Sequence, residues 1–165
     1  RKIELNSRMA GVALADLALL AVLVAVLALS GQLGNHAGAV VFLAAFGWLT
    51  GLGLSQLFKI VAFMTWLETY GPVMGRMPTP RVQDLVVEKR AVKWFWTYHA
   101  GAWAGTLALL AGQAMLFRLT AAVMLAGTLG LVAQFLRTRR LRDIDAGRRL
   151  PEGTRQPQLL ISNAA

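Results

Sequence analysis

From Met9 to Leu29 the chain reads MAGVALADLALLAVLVAVLAL, an apolar run interrupted by a single charge at Asp16. A helix crossing a bilayer needs about 20 mainly apolar residues at about 1.5 Å of rise each, and this run is long enough. The core of a signal peptide is shorter, and Ser30-Gly31-Gln32 is a poor cleavage site. The run therefore reads as a permanent span despite the basic residues ahead of it. The chain opens on Arg1 rather than methionine, which the sequence reading takes as a processed chain or a part of a longer one.

Working outward, the polar turn SGQLGN covers Ser30 to Asn35. A second apolar stretch, AGAVVFLAAFGWLTGLGLSQLF, follows His36 and predicts a span over 37–58. Lys59 interrupts it, and IVAFMTW carries the apolar pattern on to Trp66. The whole is longer than one crossing, so either the helix tilts or its last turns emerge among the headgroups. A third span is predicted over 95–115, opened by Trp94-Phe95-Trp96-Thr97-Tyr98, and a fourth over 119–135. Only Phe117-Arg118 and their neighbours separate these two, which predicts a tight antiparallel hairpin. In the loop 68–93, Gly71-Pro72 and Pro78-Thr79-Pro80 break any helix. Beyond Pro80, Val82, Leu85 and Val86 share one face and predict a short amphipathic helix on the membrane surface.

The expected fold is all-α: an integral membrane bundle of four transmembrane helices over residues 1–137, then a basic cytoplasmic tail over 138–165 that is poorly ordered from Pro151. Composition agrees. The chain is 56% hydrophobic and 15% charged, against about 25% charged in soluble domains, and the apolar excess sits in blocks. A net charge of +9 on a soluble protein would suggest nucleic acid. Here the basic residues flank the apolar blocks, so they read as a topology signal and not as a nucleic-acid surface. Of 17 Lys and Arg residues, Arg118 alone falls in an outer connection. The rest lie before the first span, at Lys59, in loop 68–93 or after the fourth span. The positive-inside rule then sets both termini in the cytoplasm. The chain has no cysteine, which excludes disulfides, thiolate metal sites and iron–sulfur ligation.

Few residues could carry chemistry. Asp16 and Lys59 are the ionisable groups within or bordering apolar runs, and a charge at mid-bilayer costs about 2.5–3.5 kcal/mol on insertion scales. They are expected to pair between spans one and two, as a structural ion pair or a charge relay. His36 and His99 are the two histidines and the candidate haem ligands. They are expected near opposite membrane faces, too far apart to share one iron. Gly47-x-x-x-Gly51 and Gly101-x-x-x-Gly105 are small-residue patterns that let helices approach closely in lipid, within the chain or against a partner. No catalytic nucleophile, phosphate loop, paired carboxylates or metal-ligand cluster is legible.

The stretch from Gly47 to Leu85, GWLTGLGLSQLFKIVAFMTWLETYG…MPTPRVQDL, resembles the C-terminal part of bacterial membrane proteins like the haem-copper oxidase catalytic subunit. Those proteins have a Gly-Trp helix, a Lys-Ile-x-Pro-Phe-x-x-Trp segment and a proline-containing loop ending in Asp-Leu. The matching residues are Gly47, Trp48, Gln56, Lys59, Ile60, Phe63, Trp66, Tyr70, Pro80, Asp84 and Leu85. Ala62 stands where the pattern has proline, so no kink is enforced there. Two histidines cannot supply the ligands of two haems and a copper, so oxygen reduction within this chain alone is excluded. The resemblance implies a bacterial inner-membrane protein: an accessory, haem-associated subunit or fragment of an electron-transfer or respiratory complex. The competing reading is a non-enzymatic scaffold without cofactor, packed against other membrane subunits or further helices of a longer chain. A small transporter is a weaker third, since no inverted repeat or broken helix pair is evident.

Overall fold

The computed structural model describes residues 4–150 except Met77, together with Thr154 and Pro157, and leaves the side chains of Ala146 and Arg148 undescribed. The expectation of poor order from Pro151 thus falls almost wholly outside the described residues. Four long helices and one short one make up the fold: α1 Leu5–Leu29, α2 Ala37–Val73, α3 Glu88–Leu110, α4 Ala114–Arg139 and α5 Ala146–Arg149. Among the described residues there is no strand. Three helices, α1, α2 and α4, are long and apolar enough to cross a membrane. The lipid-type surface is evident in large apolar side chains left outside, among them Val22, Val26, Leu29, Leu107 and Leu129.

α2 is one continuous rod of changing pitch. It is α-helical over Ala37–Phe42, π-helical over Leu43–Thr50, α-helical again over Gly51–Tyr70, and closes in a 3₁₀ turn at Gly71–Val73. Pro72 ends it. About 33 Å of helix separate Ala37 from Lys59 at about 1.5 Å per residue, one hydrocarbon thickness. The turns from Ile60 to Val73 are therefore in excess of one straight crossing.

The hairpin between α3 and α4 turns earlier than expected. Its turn lies at Ala111–Gln113, where Gly112 adopts φ +66°, a left-handed conformation that only glycine takes without strain. α3 correspondingly begins at Glu88 rather than near Phe95. The hairpin is tight: a Cβ on Gly101 would lie 2.7 Å from the Met124 backbone nitrogen, and one on Gly127 2.6 Å from that of Tyr98.

Two apolar centres hold one half of the bundle together. One joins α1, α2, α3 and α4 through Leu5, Met9, Phe58, Ala91, Phe95 and Leu131, with Phe58 and Phe95 edge-on at 5.8 Å. The second lies at the end of the bundle and joins Tyr70, Val73, Leu85, Leu141 and Ile144. Here the loop departs from expectation. In place of an amphipathic surface helix there is a 3₁₀ turn at Val82–Leu85, pinned by Asp84 Oδ2 accepting the Arg81 N–H at 2.9 Å. Leu85 turns inward onto this second centre instead of toward lipid, and Trp66 Nε1 donates to the Pro80 carbonyl at 2.7 Å. The start of the basic tail belongs to the same cap. Leu141 and Ile144 are buried, and Tyr70 donates its hydroxyl proton to the Arg149 carbonyl at 2.7 Å.

Candidate functional site

Midway along the bundle a polar cluster is sealed from solvent. Asp16 lies about 16 Å along α1 from Leu5, and His99 the same distance along α3 from Glu88. Their side chains meet: Asp16 Oδ2 is 3.1 Å from His99 Nδ1, and Asp16 Oδ1 accepts the Trp103 Nε1–H at 2.6 Å. Trp103 follows His99 by four residues, so both project from one helix face, with ring centroids 5.8 Å apart. The carboxylate and the imidazole are 2% and 0% exposed. Both oxygens of Asp16 are thereby satisfied, as a dry interior requires.

The floor of the cluster is the Gly47/Gly51 pair on α2. A Cβ on Gly51 would stand 2.8 Å from His99 Cε1 and 3.4 Å from its Nε2, and one on Gly47 3.4 Å from Asp16 Oδ2. Only bare backbone lets α2 come this close. The π-helical turns Leu43–Thr50 run past the same point. Tyr98, beside His99, donates its hydroxyl proton to the Phe46 carbonyl at 2.7 Å, and Thr50 Oγ1 donates to the Ala45 carbonyl at 2.8 Å. π-helical turns are rare and concentrate at specialised sites. Here they turn a backbone carbonyl toward a tyrosine of the neighbouring helix.

Electrostatically the cluster is neutral when Asp16 and His99 hold one proton between them, as carboxylate with imidazolium or as carboxylic acid with imidazole. Without that proton a bare carboxylate would sit at membrane depth, at the cost given above. His99 Nε2 is buried and has no hydrogen-bond partner among the described residues.

This arrangement corrects the expected pairing. Lys59 does not meet Asp16. It binds Glu4 Oε2 at 3.1 Å near the membrane boundary, with 57% of its side chain exposed. The shift of α3 toward its N-terminus explains the difference: it carries His99 from the expected end of the helix to its middle, opposite Asp16. The haem expectation gains no support. A Cβ on Gly51 would stand 3.4 Å from His99 Nε2, the atom that would bind iron, so α2 crowds that nitrogen. His36 sits at the head of α2 with Nε2 3.2 Å from Gln32 Oε1, and His99 does not face it. Gly47, Gly51, Gly101 and Gly105 are all buried in the chain's own packing, so they are not surfaces for partner helices. Trp103 and Tyr98 were not singled out from the sequence. The four-residue step from His99 to Trp103 was the available signal, and it pointed to Asp16 only once the bounds of α3 were known.

A second polar cluster lies at the end of the bundle where α3 begins and α4 ends. Asp143 accepts from Arg90 Nη2 and, at 2.9 Å, from Arg137 Nη2, while Arg90 Nε donates to Gln134 Oε1 at 2.6 Å. Burial pushes the Asp143 carboxyl up, but the hydrogen bonds and charges of Arg137 and Arg90 outweigh it and hold the group below the usual carboxylate range. Nearby, Arg139 binds Glu68 at 2.8 Å and donates to Thr65 at 3.2 Å, tying the end of α4 to α2. No group of three or more His, Asp or Glu side chains that could hold a metal occurs among the described residues. Compared with known family models, curated proteins and solved structures, the chain matches none.

Proposed function

We propose that this chain is a non-catalytic membrane unit of four spans, both ends on the cytoplasmic side of a bacterial inner membrane, that supplies a larger membrane assembly with a pre-packed helical module. The observation that carries the reading is the closure of the Asp16–His99–Trp103 cluster. Both oxygens of Asp16 are engaged, the Gly47/Gly51 backbone closes on the pair, and none of the three side chains lines the cavity described below. A polar group of this kind holds α1, α2 and α3 in one register, the role for which buried polar contacts are best attested.

The fourth span is α3. Its hydropathy is diluted by residues that it buries within the bundle, His99, Tyr98 and Thr106 among them, and by the polar turn Glu88-Lys89-Arg90, which lies at headgroup depth. The distribution of Lys and Arg supports the orientation. The likeness of Gly47–Leu85 to the haem-copper-oxidase-like proteins supports an assembly of the electron-transfer type, with the haem held elsewhere than on this chain.

The test is purification in mild detergent, followed by a visible spectrum and a native mass. The expected particle contains a further subunit, and this chain alone shows no Soret band. A Soret band that vanishes in His99→Ala overturns the non-catalytic reading. A lone 17.9 kDa chain with lipid overturns the assembly. A C-terminal reporter active only outside the membrane, if active, overturns the orientation.

A further inference from the structure

A cavity of about 410 Å³ opens between the start of α1, the middle of α2, the 3₁₀ turn and the start of α3. Its level follows from the helix lengths. Lys59 and Glu88 lie about 33 Å, and Leu5 about 36 Å, of helical rise from the outer ends of their helices, so the cavity sits where hydrocarbon gives way to headgroups. Its walls are of two kinds. Phe58, Ala62, Phe63 and Val86 form an apolar side, and Glu4, Asn6, Lys59, Gln83 and Glu88 a polar one.

The polar side carries two carboxylates and one ammonium. Glu4 is fully engaged: Oε2 takes Lys59 Nζ at 3.1 Å and Oε1 takes Gln83 Nε2 at 2.9 Å. Those bonds hold its carboxyl below the usual range, so it is ionised at neutral pH and leaves Lys59 with unused N–H donors. Glu88 gives only Oε1, which accepts the Leu5 N–H at 3.0 Å. Its second oxygen points to no described hydrogen-bond partner, and the described lining bears one more negative charge than positive.

We propose that this cavity binds the headgroup of a zwitterionic phospholipid bearing a primary ammonium. The ammonium meets Glu88 and the Asn6 amide, the phosphate meets Lys59, and the glycerol and first methylenes lie on Phe58 and Val86. A net anionic lipid meets the surplus carboxylate. A choline headgroup has the charge but no N–H to donate. The inference rests on the membrane placement of the helices and not on the scaffold role, and the experiment below reads lipid retention without reference to any partner subunit.

The experiment is native mass spectrometry of the detergent-purified chain, equilibrated with phosphatidylethanolamine, phosphatidylcholine and phosphatidylglycerol of identical acyl chains. The expected result is preferential retention of one phosphatidylethanolamine, reduced about five-fold in Glu88→Gln, a change that keeps the bond to the Leu5 N–H. Ala62→Leu, which fills the cavity from its apolar side, reduces retention of all three without loss of helical circular dichroism. Equal retention of the three lipids, a preference for phosphatidylglycerol, or retention unaltered in both variants overturns the proposal. If Glu88→Gln does not fold, the lipid ranking and Ala62→Leu decide alone.

Discussion

Asp16 and Asp143 are held in opposite ways. Asp16 sits in the dry middle of the bundle with an imidazole and an indole for company, and no residue with a fixed charge touches it. Asp143 sits at the rim, its side chain 8% exposed, and is gripped by two guanidinium groups that are 30% and 36% exposed. The rim cluster has the stronger partners on paper. The central one is expected to carry more energy, because its alternative is an unpaired polar group in a water-free interior, whereas the two arginines of the rim can fall back on water. In a membrane helix bundle, the cost of losing a contact is set by what replaces it.

The largest expected effect follows from that. Asp16→Leu leaves His99 with two unpartnered nitrogens and should destabilise by about 3–5 kcal/mol, read as denaturant unfolding in detergent. His99→Leu alone should cost as much, and the double variant should recover most of the loss, because an apolar pair replaces a polar one. If Asp16→Leu costs no more than Asp143→Asn, the contrast between the two clusters is lost.

Gly51→Ala sharpens the description of the central cluster. The added methyl would lie 2.8 Å from His99 Cε1, on a ring pinned by Asp16, and overpacking of this kind costs about 1–3 kcal/mol. Gly53→Ala is its control. Nothing lies within 4 Å of that methyl, so the change should be neutral or stabilise by up to about 1 kcal/mol. Equal effects at the two glycines would show that the cluster tolerates displacement.

At the rim, Asp143→Asn should cost about 2 kcal/mol at neutral pH. Arg137 and Arg90 hold the Asp143 carboxyl below the usual carboxylate range. A depressed carboxylate contributes stability above its unfolded value and loses it as pH falls through the folded one. The gap between wild type and variant should therefore close below about pH 4. Added salt should also narrow it, since the rim is open to screening. A gap that persists in acid would mean that packing, not charge, holds Asp143.

The smallest effect is expected at Lys59. Its bond to Glu4 is exposed, so Lys59→Ala should change stability by less than about 1 kcal/mol. Combined with Asp16→Leu, the effects should add within about 0.5 kcal/mol. A larger coupling in that cycle would restore the pairing expected from the sequence.

What the sequence by itself determined was the material of the fold. The apolar runs Met9–Leu29 and 37–58, the punctuation at Gly31 and Pro72, and the asymmetry of Lys and Arg are local properties, readable from hydropathy and backbone chemistry alone. They gave all-helical membrane-type segments and an α2 longer than one crossing. They also marked Asp16, His99 and Gly51 as unusual, each for its own reason. What only the tertiary structure decided was which of these meet. A shift of a few residues in the start and end of α3 moves His99 by about a third of the bilayer, and hydropathy does not register such a shift when Glu88-Lys89-Arg90 is itself helical. The closeness of α2 to α3, the π turns of Leu43–Thr50 and the burial of all four patterned glycines within the chain arise from side chains interlocking across helices. No window along a single chain contains both sides of that contact.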